Sequence, residues 1–148
     1  MIPDNATRTK SAAIRLAHTL LLYLALDADI VTASDAIRKP AEGGTVFVIS
    51  TPDEHNAFAE AALTGSPLRL DGREFTLNGR KFQGNGIGVV FSRARPETPS
   101  ATTVFVMGND VAGLERALRL VPFRTGLAVP VSSIFAGYEF ISHCNAFF

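Results

Sequence analysis

The sequence holds a single cysteine, Cys144, in 148 residues. An intramolecular disulfide framework and a multi-cysteine zinc site are excluded on that ground. Charge of one sign is also missing. Lys+Arg and Asp+Glu both number 14, and charged residues make up 19% against the roughly 25% of an average globular chain. A strongly basic nucleic-acid binder and a disordered acidic tail are both excluded. No long apolar run is present. Ala12 to Val31 is broken by Arg15, His18, Asp27 and Asp29. The uninterrupted Leu20–Leu26 stretch is far short of the roughly 18 residues a membrane span needs. Met1–Asp4 lacks the basic start of a signal peptide.

Several catalytic signatures are missing too. No serine sits in G-x-S-x-G, so the nucleophile elbow of an α/β-hydrolase is absent. No two histidines stand at metal-ligand spacing, so neither a metal nor a cofactor is expected. His18 reads as a packing or surface residue and His55 as a solvated one. Gly84-x-Gly86-x-Gly88 precedes a strand, whereas a dinucleotide loop follows one, so these glycines read as a bend.

What remains is an apolar chain, 47% hydrophobic with 11 phenylalanines. It is long enough to bury about 70% of the surface its unfolded form exposes. Thr7–Leu26 reads as a helix with Ile14, Ala17, Leu21 and Leu24 on its core face, widened by Ala13, Leu16 and Leu20. Ile30–Thr32 reads as a short strand, and Ser34 as the cap of a turn at Asp35–Lys39. Thr45–Ile49, Val89–Phe91 and Thr103–Met107 are apolar runs without alternation, as in strands covered on both faces. Pro52 suits a first helical position, with Asp53 and Glu54 complementing the dipole of a helix that ends at Gly65. Asp71-Gly72 and Asn78-Gly79 punctuate Leu68–Phe82 as a three-stranded meander with Leu68, Leu70, Phe75, Leu77 and Phe82 inward. Arg95–Ser100, with two prolines, reads as a loop. Leu114, Ala117, Leu118 and Val121 form a helical stripe before Pro122, with Arg116 and Arg119 exposed.

The expected fold is α/β. It is a three-layer, largely parallel sheet with helices on both faces and an inserted three-stranded antiparallel meander. One domain is expected over 1–130. Residues 131–148 form an atypical tail without a strand or helix pattern. In a parallel sheet, ligands bind beyond the carboxyl ends of the strands. Thr51 and the pair Asn109–Asp110 occupy two such ends, each before a helix whose N–H groups favour anions. They are the candidate ligand-binding residues. The competing reading is that Thr51 and Asn109 or Asp110 merely cap their own helices. No catalytic residue is assigned.

Gly108-Asn109-Asp110-Val111-Ala112-Gly113-Leu114-Glu115-Arg116-Ala117-Leu118-Arg119-Leu120, running on through Pro122 to Pro130, carries a resemblance. So do Ile14–His18, Val46–Ile49, Asn56–Phe58 and Asn78–Phe82. The stretch Ala12–Pro130 resembles the C-terminal accessory region of fungal secreted prolyl oligopeptidase-like serine hydrolases. The hydrolase segment itself is not in this chain, so the resemblance carries over no catalytic residue. It implies a non-catalytic accessory or interaction domain whose partner is a hydrolase domain, not nucleic acid or membrane, and whose full-length relatives are secreted. The alternative is a small-ligand-binding module of flavodoxin-like architecture. The resemblance breaks after Val129-Pro130, and Val131-Ser132 matches a translated intron donor, so a gene-model artefact is expected from there on.

Overall fold

Strand β1 (Thr45–Ser50) is apolar on both sides because both of its faces are covered. It pairs in parallel with β6 (Thr98–Gly108), from Thr45 opposite Thr102 to Ser50 opposite Met107. Strand β5 (Gly88–Arg95) then runs antiparallel to β6. Strands β7 (Ser132–Ala136) and β8 (Glu139–His143) add two more antiparallel pairings, giving a five-stranded sheet of order β1-β6-β5-β7-β8. The computed structural model describes residues 1–95, 98–121, 132–136 and 139–143, with the backbone alone at 98–100, 132–136 and 139–143.

Three expectations therefore change. The main sheet is mixed, with a single parallel pair among its described strands. Unalternating strands signal two covered faces, and they do so whichever way the strands run. The stretch Arg95–Ser100, expected as a loop, gives Arg95 to β5 and Thr98–Ser100 to β6. A register shift between Ala94 and Arg95 leaves Pro99 opposite no ladder partner, where a proline is tolerated. The stretch after Val131, expected to hold no strand, contributes β7 and β8. Pro122–Pro130 and Cys144 lie outside the described residues.

One face of the sheet carries Ile49, Val90, Val104 and Val106 against α1 (Arg8–Leu24) and α4 (Val111–Leu118). The stripe Leu114, Ala117, Leu118 and Val121 is buried here, as its spacing predicts. The other face carries Val48, Phe105, Met107, Val89 and Phe91 against α3 (Ala57–Leu63) and the meander. That meander is β2 (Leu68–Asp71), β3 (Glu74–Leu77) and β4 (Arg80–Phe82), a separate antiparallel sheet. Its turns are the expected ones. Gly72, Asn78 and Gly79 all take positive φ.

Helix α1 buries a different face from the expected one. Ala12, Ala13, Leu16 and Leu20 are buried, while Ile14, Leu21 and Leu24 are exposed. The C-terminal end of the helix, Leu20–Leu24, is apolar all round, so spacing there does not choose its inner side. Helix α2 (Ala33–Arg38) is capped by Thr32, whose hydroxyl accepts the Asp35 N–H; Ser34 instead bonds Asp4. Ile30–Thr32 is not a strand; only Thr32 forms a bridge, with Ile2.

Candidate functional site

The parallel pairing of β1 and β6 brings their carboxyl ends side by side, so Thr51 and Asn109 share one end of the sheet. Helix α3 does not start at Pro52. Its cap is Asn56, whose carboxamide oxygen accepts the Ala59 N–H at 3.0 Å. Thr51 to Glu54 form a turn in which the Glu54 N–H donates to the Thr51 carbonyl. This frees Glu54 for another helix. Its carboxylate accepts the N–H groups of Thr7, Arg8 and Thr9 and the Thr9 hydroxyl, so it caps α1. Burial pushes the Glu54 carboxyl up. The Thr9 hydroxyl and the three N–H groups outweigh it and hold the group below the usual glutamate range.

Asn109 is 1% exposed. Its carboxamide oxygen accepts the Ile87 N–H at 2.8 Å. Its amide donates to the carbonyls of Gly84 at 2.5 Å and Arg73 at 3.1 Å. One Asn thus ties the glycine loop before β5 and the β2–β3 turn to the end of β6. Asp110 caps α4 through the Gly113 N–H at 2.7 Å and holds the same loop through the Gly86 N–H at 2.8 Å. Burial raises its carboxyl. The Gly113 and Gly86 N–H groups and the Arg73 charge more than offset this, leaving it below the usual aspartate range. Arg116 is half-buried and donates to the Gly86 carbonyl at 2.5 Å, contrary to its expected exposure.

Glycines finish this corner. A Cβ at Gly88 would strike the Gly113 carbonyl oxygen, one at Gly113 the Ile87 carbonyl oxygen, and one at Gly108 the Leu114 nitrogen. Helix backbone lies directly on strand backbone. The Gly-Asn-Asp-x-x-Gly pattern is therefore explained by packing and capping. Asn109 and Asp110 have spent their polar atoms on the chain itself.

Thr51 has a different setting. With Ser50 it lines a groove of about 630 Å³ between the end of β1, α3 and β2. Both residues are buried, Thr51 at 3% and Ser50 at 5% exposure. His55, Glu60, Arg69 and Asp71 also line the groove, and His55 Nδ1 lies 3.0 Å from Glu60 Oε1. Asn109 and Asp110 do not line it. The three candidate residues are thus neighbours in the sheet but do not converge on one cavity. Composition and spacing give no signal for the Glu54 clamp, since its partners lie in a helix that begins some 46 residues earlier. Among the described residues no group of three His, Cys, Asp or Glu could hold a metal ion, and no helix is long and apolar enough to cross a membrane.

No family model matches the chain, and no solved structure matches it. It is 27% identical over 130 residues to an uncharacterized secreted protein of Arthroderma benhamiae. The match covers 84% of this chain and 14% of that protein, so the chain spans a small part of its relative's length. Similarity to a secreted fungal protein is thus found. A link to prolyl oligopeptidase-like hydrolases receives no support from these comparisons.

Proposed function

We propose that this chain is a non-catalytic interaction domain of a larger secreted polypeptide and that the exposed apolar side chains of α1, most of them wrapped around its C-terminal end, are the surface it presents. The observation that carries this reading is the exposure of Ile14, Leu21, Leu22, Tyr23 and Leu24, with Leu22 at 80% and Tyr23 at 77%. Apolar side chains clustered on a solvent face mark an interaction surface. A match to 14% of a much longer secreted protein fits a domain that lies against others. The resemblance carried by Gly108–Leu120 favours a serine-hydrolase domain as the neighbour. Asn109 and Asp110 serve the fold, which favours an accessory role over catalysis.

The test uses the Arthroderma benhamiae protein produced without its matching region. Mixed with this chain and sedimented, the two are expected to form a complex. The double variant Leu22→Glu/Tyr23→Glu is expected to lose the complex while melting like the parent. Absence of a complex with the parent chain, or a complex that survives both substitutions, overturns the reading. Stoichiometric labelling of the chain by a serine-reactive fluorophosphonate overturns its non-catalytic part.

A further inference from the structure

Asparagine occurs at six positions, Asn5, Asn56, Asn78, Asn85, Asn109 and Asn145. Only Asn5 is followed two residues on by a hydroxyl, in Asn5-Ala6-Thr7, and the residue between them is not proline. That is the acceptor pattern for an N-linked glycan in a chain that enters the secretory route. Three residues in that order often arise by chance, so their setting in the fold decides what they can do.

Asn5 is exposed, in the turn that leads into α1, where the Ala6 N–H donates to the Pro3 carbonyl at 3.2 Å. The turn is pinned in place. Ile2 bridges Thr32, and the Asp4 carboxylate accepts the Ser34 N–H at 3.0 Å and the Ser34 hydroxyl at 2.6 Å. The Asn5 carboxamide and the Thr7 hydroxyl make no hydrogen bond among the described residues. Thr7 stands at the cap of α1, where a threonine hydroxyl normally accepts a helix N–H. Glu54 already serves that turn, so the hydroxyl is left over. Asn56 and Asn109, by contrast, use their carboxamides to hold α3 and the glycine loop. A sugar on either would break those bonds. On Asn5 it displaces nothing.

We infer that Asn5 is an N-glycan acceptor, modified from an oligosaccharide carried on a polyisoprenyl diphosphate. The Asn5 Nδ2 forms a bond to the anomeric carbon of the first sugar as the bond from that carbon to the diphosphate oxygen breaks. The lipid diphosphate leaves with the electron pair, and Nδ2 gives up one of its two protons to the transferase. The inference rests on the secreted part of the function proposed above and not on its interaction surface. Helix α1 is 17 residues long, about 25 Å, so the sugar sits at one end and Leu22 and Tyr23 at the other. The glycan therefore leaves the exposed apolar end open.

The test expresses the full chain in yeast behind a secretion signal and a polar spacer. Peptide-N-glycosidase is expected to lower the mass of the secreted chain by one glycan. In heavy-oxygen water the same enzyme converts a glycan-bearing asparagine to labelled aspartate, and the label is expected at Asn5, in the tryptic peptide that ends at Arg8. Thr7→Ser is expected to keep the glycan, and Asn5→Gln and Thr7→Ala to lose it. Made in bacteria without sugar, both of the latter are expected to melt with the parent, since neither side chain has a partner to lose. A secreted parent chain without a glycan, or a glycan that persists in Thr7→Ala, overturns the inference. So does a melting temperature of Asn5→Gln well below the parent's, which would give Asn5 a structural task instead. The secretion signal is supplied, so a bare parent chain refutes the acceptor and leaves the α1 surface standing.

Discussion

The carboxylate of Glu54 receives the hydroxyl of Thr9, a residue 45 positions away, and the N–H groups of Thr7, Arg8 and Thr9 close around it. The α1 cap residue, Thr7, makes no side-chain cap bond of its own. Without Glu54 the first turn of α1 would be left with unpaired donors. The helix that presents these exposed apolar side chains is therefore anchored by the turn after β1.

Glu54→Gln removes the charge and keeps the shape. It is expected to cost about 1.5–3 kcal/mol, the range for hydrogen bonds to a charged group. The parent's pH dependence has a definite sign. Its folded carboxyl is held below the ordinary glutamate value of 4.5, so the stabilisation is complete above that pH. It disappears as pH falls through the lower, folded value. Urea melts of both proteins from pH 7 downward should run parallel at first and converge at the acid end. A gap that stays constant to the lowest pH would show that the charge is not what holds α1.

At the same end of the sheet, Asn109→Ala strands the Ile87 N–H and the Arg73 and Gly84 carbonyls at once. A loss of about 2–4 kcal/mol is expected, large for one polar residue. Gly113→Ala poses a sharper contest in the same place. Helix propensity favours alanine by about 1 kcal/mol, while collision with the Ile87 backbone costs about 1–3. The collision should win, because the atoms in the way are backbone. A stabilised Gly113→Ala protein would mean that α4 sits further from β5 than described.

Leu118 and the two arginines beside it separate the faces of α4. Leu118→Ala should cost about 2–5 kcal/mol, since it opens a cavity against the sheet. Arg119 is exposed and its loss should stay within about 0.5 kcal/mol. Arg116→Ala should fall between them, at about 1 kcal/mol, because it forfeits the bond to the Gly86 carbonyl. Guanidinium chloride midpoints of the three variants give the ranking directly. Equal midpoints for the Arg116 and Arg119 variants would remove Arg116 from the glycine loop.

Ala25 ends α1 at φ 53, with its N–H donating to Leu21 and that of Leu26 to Leu20. This left-handed closure is one that glycine adopts freely and alanine does not. Ala25→Gly should therefore stabilise the protein by about 0.5–1 kcal/mol. A lower thermal midpoint in Ala25→Gly would show that α1 does not close in this way.

The meander was legible because its turns are written in dipeptides with a single mechanical meaning. Asn78-Gly79 tolerates positive φ, and no distant contact is needed to form that turn. The stripe on α4 was legible because polar residues alternate with it at helical spacing. Helix α1 lacks that contrast, and only packing separates Leu20, which is buried, from Leu21, which is not. Strand direction was hidden for a similar reason. A strand covered twice reads the same in either orientation, and Pro96 and Pro99 disguised the passage from β5 to β6. At the candidate site, the sequence placed Thr51, Asn109 and Asp110 at strand ends correctly. It gave no sign that Asn109 turns back onto Ile87, Gly84 and Arg73, because those partners are set by tertiary contact.

The parallel pairing of β1 with β6 also sets an order of events during synthesis. Thr45 cannot meet Thr102 until the chain has been extended past the meander and β5. At about 5–20 residues per second, β1 waits about 3–11 s after it is made. Over that interval the strands of the meander can pair, since each of those pairings is local. The four apolar residues before Ser50, Val46 to Ile49, have no such local partner. They are the part of this protein most exposed to misassociation while it is being made, and the long return to β6 should make folding slow for a chain of this size.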